Sequence, residues 1–291
     1  MDITLNYIKN NFANIINIVK PKNQGKLSCV YFADYNDTKI VIKIPMNAGS
    51  LSKEIQFYEL LKNIELPSPK ILSYNYKNIY RIPEYLIMTK LNGAPLHDNC
   101  CNDSTKFKIY ADIGIYLKMI HSINYFSYST TFTPYSCDGV INFNSWIEYL
   151  NSEIGVILNK VQLSGIFSVY HVEKFRNHFK KLVNIDYNLV LLHGDLGPDH
   201  LYFRHDKFEG IIDPGLSFLG PKEYDLAYMA IYTDPHYFHK IASTYGPYSQ
   251  ELVDSLMLLI LSQKILRHFE NEKVINIEKF INVISTYKLL D

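Results

Sequence analysis

Apolar residues along this chain recur every three or four positions in some stretches and every second position in others. Ile3, Tyr7, Ile8, Phe12, Ile15, Ile16 and Val19 keep near-helical spacing and stop before Pro21, which predicts a helix over residues 3–19. Its polar face is Asn-rich rather than basic. It has neither the charged start nor the unbroken apolar centre of a signal peptide, so it is expected to pack onto the domain that follows. Strand-like Cys29–Ala33, a turn at Tyr35-Asn36-Asp37 and strand-like Lys39–Ile44 predict a hairpin. Ser50 is placed to cap a helix through Asn63 that carries Glu54 early, with Glu59 further along. Tyr85–Thr89 predicts a buried strand that ends at Lys90-Leu91-Asn92-Gly93. Helical stripes follow. Tyr110, Ile113, Leu117 and Ile120 mark a helix over Lys106–Ile123, and Phe143–Val161, Val172–Val183, Leu252–Phe269 and Ile275–Leu289 predict four more.

One stretch breaks the helical rhythm. Leu189–Leu192 and Gly210–Ile212 are short apolar runs bounded by Gly and Pro, predicted to be buried strands. Between them lie His193, Asp195 and His200, then a return through Leu201–Phe203; Asp213 follows the second run. Carboxylates at the ends of buried strands are costly unless a metal or a reaction needs them. His200 stands five residues after Asp195, and Asp213 eighteen after it. That order suits phosphoryl transfer, in which one carboxylate accepts the hydrogen bond of an attacking hydroxyl and a second holds a divalent cation on the phosphates.

Composition narrows the class. At 291 residues, 47% hydrophobic and 20% charged, the chain can bury a large core and suits two lobes. Cys29, Cys100, Cys101 and Cys137 lack metal-site spacing, which points to a reduced, cytoplasmic setting. No apolar run is long enough to span a membrane, and neither repeats nor a basic stripe suggests nucleic-acid binding. No obligate protein partner is expected. The net charge of zero divides unevenly. Residues 1–91 hold 12 Lys and Arg against 7 Asp and Glu, and residues 92–291 hold 17 against 22. A basic first part suits phosphates, and an acidic second part suits a cationic small molecule.

The His193-Gly194-Asp195 loop, Asp213 and the run Gly220-Pro221-Lys222-Glu223-Tyr224-Asp225-Leu226-Ala227 resemble the aminoglycoside phosphotransferase family. The resemblance implies an α+β, protein-kinase-like, two-lobed fold. A small β-rich N-lobe over residues 1–91 would bind nucleotide, and a larger, mostly helical C-lobe over residues 92–291 would hold the catalytic loop and substrate site. It implies an enzyme that moves the γ-phosphoryl of ATP, with Mg²⁺, to a hydroxyl of a small molecule. An antibiotic-resistance kinase for an aminoglycoside is the first expectation. Macrolides and metabolites such as fructosamines, choline or homoserine come next.

By the same resemblance Asp195 is the base or orienting carboxylate, Asp213 the principal metal ligand and His200 a second metal contact. His193 and Asp225 support the loop. Lys43, between β-branched neighbours, pairs with Glu54 to hold the phosphates, and Glu59 is the competing partner. Ser28 offers a hydroxyl or N–H to phosphate, although the loop before it has one glycine, Gly25, rather than a full Gly-rich pattern. In the hinge Met88 walls the base pocket, and the Thr89 carbonyl and Leu91 N–H meet the base edge. Backbone contacts of this kind leave GTP open as well as ATP.

His200 occupies the position where most kinases carry a metal-binding Asn, and an imidazole nitrogen is an unusual partner for hard Mg²⁺. Some aminoglycoside and macrolide kinases resemble this chain in having His there. His121 is read as structural. Asp234, Glu270 and Glu272 are candidates for a cationic-substrate cleft. A metal-dependent hydrolase built on His193, Asp195, His200 and Asp213 is an alternative that would not need the Lys43–Glu54 pair. A non-catalytic nucleotide-binding module would be expected to have lost Lys43, Asp195 or Asp213.

Overall fold

The computed structural model describes residues 2–22, 24, 28–62, 64, 66–76, 82–96, 102–123, 143, 145–271 and 274–290. Gly25, Cys100, Cys101, Cys137 and Glu272 lie outside them. Packing divides the chain into two compact units. The first comprises residues 1–109 together with 198–217; the second comprises 110–197 and 218–291. The chain therefore leaves the second unit once, contributes to the first, and returns.

In the first unit helix α1 (Asp2–Asn11) is followed by strands β1 (Ile15–Val19), β2 (Ser28–Tyr35) and β3 (Thr38–Pro45). The helix predicted over residues 3–19 thus ends at Asn11. Its second half is a run of β-branched residues, Ile15, Ile16, Ile18 and Val19, which pairs antiparallel with β2 from Ile15↔Tyr35 to Val19↔Phe32. A two-residue turn joins β2 to β3, with Asn36 and Asp37 both at positive φ (46° and 62°). Asn and Asp tolerate that conformation better than most residues, and its twist matches the strands it connects.

Helix α2 (Ser52–Leu61) begins after Leu51 rather than at Ser50. Strands β4 (Ile71–Asn75) and β5 (Tyr85–Thr89) complete a five-stranded sheet in the order β1-β2-β3-β5-β4. Period-two alternation sorts its side chains. Cys29, Tyr31 and Ala33, then Ile40, Ile42 and Ile44, then Tyr85 and Ile87 join Ile8 of α1 in one apolar cluster. The opposite face carries what lies between them. The register sets Ser28 against Pro45, Val30 against Lys43, Val41 against Met88 and Lys43 against Leu86.

The short strand β6 (Ala94–Pro95) pairs with β8 (Leu201–Arg204), and β8 with β9 (Lys207–Ile211). Two glycines permit this packing. A Cβ on Gly93, at φ +83°, would lie 2.0 Å from the Phe203 carbonyl oxygen, and one on Gly210 would lie 2.3 Å from that of Pro67.

The second unit is helical. It takes most of α3 (Asp103–His121), then α4 (Trp146–Ser164) and α5 (Val169–Leu182), capped by Ser145 and Ser168 respectively. It continues with α6 (Glu223–Tyr232), α7 (Pro235–Tyr245), α8 (Gln250–Glu270) and α9 (Val274–Thr286). Helix α8 is buried along most of its length, from Leu252 to Leu266, and packs against α4, α5, α6 and α9. Strands β7 (Leu189–Leu192) and β10 (Phe218–Pro221) pair antiparallel where the chain leaves and re-enters this unit. Their junction is sealed by Trp146, whose ring stacks on Phe218 with centroids 5.8 Å apart.

Candidate active site

Lys43 is an inward-facing residue of β3, 6% exposed, on the sheet face opposite α1. Its ammonium donates to Glu54 Oε1 at 2.7 Å and to Asp213 Oδ1 at 2.8 Å. Burial alone would strip its proton; the two carboxylates outweigh that and hold the ammonium well above the ordinary lysine range. Glu54, also buried, is pushed above the usual carboxylate range by desolvation and by Asp213, with Lys43 pulling the other way. The two directions are consistent, because one cation serves two anions. Glu59 engages Lys62 instead, at 2.6 Å.

Asp213 adopts a left-handed backbone (φ 63°, ψ 50°) at the start of a single 3₁₀ turn, Pro214–Leu216. A non-glycine residue there is uncommon and gathers at functional sites. Its N–H donates to the Tyr58 hydroxyl of α2 at 3.1 Å. Burial, with Glu54 and Asp213 nearby, keeps that phenol neutral. His200 ends the turn Pro198–His200. Its carbonyl accepts from Ile212 N–H at 2.9 Å, and its Nε2 lies 3.8 Å from Asp213 Oδ2. Ser28 and Met88 occupy the same sheet face as Lys43. At the end of β5, Thr89 N–H donates to the Lys70 carbonyl and Lys90 N–H to that of Lys39, both at 2.9 Å. Leu91 approaches Gly210. The first unit thus joins Lys43, Glu54, Asp213 and His200 by contact, with Ser28 and Met88 on the Lys43 sheet face, Thr89 at the end of β5 and Leu91 just beyond it.

In the second unit the loop after β7 is held from α6. The Asp225 side chain is fully buried. Its Oδ2 accepts from His193 N–H at 2.8 Å and its Oδ1 from Gly194 N–H at 3.0 Å. His121 of α3 brings Nε2 to 3.3 Å from the same carboxylate and Nδ1 to 2.9 Å from the Tyr245 hydroxyl. Burial would raise the Asp225 carboxyl, but hydrogen bonding and charge from His121, together with His193 and the Gly194 N–H, hold it below the carboxylate range. Asp195 N–H donates to His193 Nδ1 at 3.3 Å, which leaves the His193 proton on Nε2. Gly194, at φ +81°, makes the turn that lets both N–H groups meet one carboxylate. Burial, with the Asp195 carboxylate nearby, pushes the Tyr228 phenol well above the ordinary tyrosine range. The contacts of His121 and Tyr228 were not foreseen from sequence. For Tyr228 a signal existed, since it stands three residues after Asp225 on one helix and so shares its face.

A family model described as the phosphotransferase enzyme family, APH, matches residues 19–253. The chain belongs to the phosphotransferase enzyme family. Its kinase-like fold, a β-sheet region followed by a mostly helical remainder, is that of solved aminoglycoside phosphotransferases. Aminoglycoside 2'-phosphotransferase-IIIa in complex with GDP superimposes with a TM-score of 0.73 at 16% identity, covering 97% of both chains. The gentamicin complex of APH(2")-IIa gives 0.67 at 17%, covering 98% of this chain and 96% of the other. A thermostable mutant of APH(4)-Ia, solved with AMP-PNP and hygromycin B, gives 0.72 at 12%, covering 100% and 98%. No curated protein matches the chain by sequence.

For a member of this family the donor set around Asp213 is informative. No group of three or more His, Cys, Asp or Glu side chains gathers as a metal site among the described residues. The Asp213 carboxylate by itself fits Mg²⁺, which commonly takes one or two protein carboxylates and fills its octahedron from phosphates and water; the His200 imidazole beside it is not an oxygen donor. Two proposed substrate carboxylates have partners of their own. Asp234 caps α7 and accepts from His236 N–H at 3.1 Å, and Glu270 pairs with Lys160 at 2.9 Å. No helix among the described residues is long and apolar enough to cross a membrane.

Proposed function

We propose that this phosphotransferase-family chain transfers the γ-phosphoryl of ATP to a hydroxyl of a small, cationic acceptor, with an aminoglycoside as the first candidate. The observation that carries this reading is the Lys43 ammonium held by both Glu54 and Asp213 at 2.7 and 2.8 Å. A fixed buried cation on the sheet face that also carries Ser28 and Met88 suits the α- and β-phosphates of a nucleotide. In this reading residues 1–91 act as the nucleotide lobe, with Met88, the Thr89 carbonyl and the Leu91 N–H around the base. Residues 92–291 act as the substrate lobe. Asp213, with His200 beside it, would hold Mg²⁺, which supplies charge neutralisation on the phosphates. Asp195 accepts the hydrogen bond of the acceptor hydroxyl and aims its oxygen at phosphorus, while Asp225 and His193 keep the loop in place. The chain works in the cytoplasm, where ATP is supplied.

The acceptor side rests on the relatives, which are solved with gentamicin, kanamycin and hygromycin B. The base is open for a similar reason, since relatives carry GDP and AMP-PNP.

A panel of aminoglycosides, macrolides, fructosamines, choline and homoserine, each incubated with radiolabelled ATP or GTP and Mg²⁺, tests the reading. Transfer of label to one member is the expected result, with loss of about 10²- to 10⁴-fold in Asp195→Ala and nucleotide affinity retained. Phosphate release that is indifferent to every acceptor and to Lys43→Met would replace this reading with the hydrolase.

A further inference from the structure

Asp213 stands in a conformation that its own sequence resists. Its backbone is left-handed (φ 63°, ψ 50°), and the next residue is Pro214. In that region the Cβ of an L-residue crowds the following carbonyl, and a residue before proline favours extended backbone. Asp tolerates the left-handed region better than most residues, but nothing in Asp213-Pro214 selects it. Pro214 has no N–H. The Asp213 amide is therefore the sole backbone donor between Gly215 and Ile212, whose own N–H goes to the His200 carbonyl at 2.9 Å.

The hold comes from helix α2. The hydroxyl of Tyr58, a residue 2% exposed, accepts the Asp213 N–H at 3.1 Å. Glu54 lies four residues earlier on the same helix, so the two side chains share a face. Glu54 reaches Asp213 through the Lys43 ammonium, 2.7 Å from Glu54 Oε1 and 2.8 Å from Asp213 Oδ1. The turn Pro214–Leu216, with Pro214 buried, packs against this helix as well. One helix thus grips Asp213 at two points, the carboxylate by way of Lys43 and the backbone directly.

The two contacts constrain different things. An ammonium on a flexible stem is a point charge, which can follow a carboxylate through a range of positions. It sets a distance, and leaves open the φ and ψ from which the carboxylate springs. A hydrogen bond to the N–H constrains the peptide plane itself. Without that bond the Asp213 backbone is free to turn toward the extended region that Pro214 favours, and its carboxylate turns with it.

We propose that Tyr58 is a positioning residue for the metal-binding carboxylate: by accepting the Asp213 N–H, its hydroxyl keeps Asp213 left-handed and so fixes where the carboxylate stands. This rests on Asp213 having the role proposed above.

The test uses the full chain, wild type and Tyr58→Phe, which deletes one oxygen and leaves the ring. Calorimetric binding of AMP-PNP over a series of Mg²⁺ concentrations needs no acceptor. Half-saturating Mg²⁺ rises by about 10- to 100-fold in Tyr58→Phe, the scale for a residue that orients a metal ligand without touching the ion. Affinity for AMP-PNP without metal is unchanged, because Lys43 keeps Glu54. A merely structural role would lower both together. In an Asp213→Ala background Tyr58→Phe has no further effect on the Mg²⁺ requirement, since it acts through Asp213. An unshifted Mg²⁺ requirement, an equal loss without metal, or the same further loss on top of Asp213→Ala each overturns the proposal. In a crystal structure of Tyr58→Phe the Asp213 φ is expected to turn negative and Oδ1 to leave Lys43; an unmoved Asp213 overturns the proposal. Should Tyr58→Phe fail to fold, amide exchange in the wild type decides. The Asp213 N–H is expected to exchange slowly, and exchange at the rate of an open turn overturns the hold. If AMP-PNP binding to the wild type is indifferent to Mg²⁺, the metal role of Asp213 fails, while the hold by Tyr58 is still decided by the crystal structure and the amide.

Discussion

Asp225 shows how one buried side chain can decide whether a loop exists in one shape. Its carboxylate is sealed from water and serves two backbone N–H groups and an imidazole. Asp225→Asn keeps the volume but replaces one acceptor with a donor facing an N–H. The expected cost at pH 7 is about 3 kcal/mol in urea unfolding. The sign with pH follows from a folded carboxyl lowered below its ordinary 3.8. The stabilisation is complete above that value and is lost as pH falls through the folded one, so the gap between wild type and Asp225→Asn should narrow in strong acid. A gap that is the same at pH 7 and pH 2.5 would remove the linkage.

The residues of this site differ in how far the sequence announces them. Lys43 sits between β-branched neighbours and Glu54 early in a helix, so local pattern places both. Asp195, Asp213 and Asp225 are carried by motif spacing. His121 reaches Asp225 across 104 residues, and a long-range contact of that kind leaves no local trace.

At the scale of elements, the hairpin Tyr35–Thr38, the strand Tyr85–Thr89 and the helices over α3 to α5, α8 and α9 follow from periodicity and turn chemistry, with ends displaced by a few residues. The exception is instructive. Ile15, Ile16, Ile18 and Val19 suit a helical stripe and a strand alike, and the free edge of β2 chose the strand. Helix α7 is marked at its start instead; its core residues Tyr237, Phe238, Ile241 and Ala242 follow Asp234-Pro235, a cap and first-turn proline. Close packing of short elements yields its own prediction. Gly93→Ala forces a side chain toward the Phe203 carbonyl at a positive φ. It should cost about 1–3 kcal/mol and loosen β6 against β8, read as faster amide exchange at Leu96, whose N–H donates to the Leu201 carbonyl. Full protection of that amide in the variant would show that the pairing takes up the added methyl without opening.

At the scale of the molecule, each unit has its own apolar core, yet the first is made of two separate lengths of chain. Lys43 and Glu54 come from the early length and Asp213 from the late one. Adding ATP and Mg²⁺ should therefore slow amide exchange in β2, β3 and β5 and also around residues 211–213, while α4 and α5 keep their rates. Protection confined to α4 and α5 would place the nucleotide elsewhere. A fragment ending at residue 109 should bind ATP far more weakly than the whole chain, measurable by calorimetry.

The order of synthesis gives this division a cost in time. The ribosome releases residues 1–109 first, and the length that completes their unit begins about ninety residues later. At ordinary translation speeds of about 5–20 residues per second, the wait is on the order of 5–20 s. Throughout it β6 has no β8 to pair with, and the Lys43 ammonium has one of its two carboxylates. A nascent chain of this protein thus passes several seconds with an open strand edge, and a transcript truncated before residue 198 encodes a product that cannot complete its first unit.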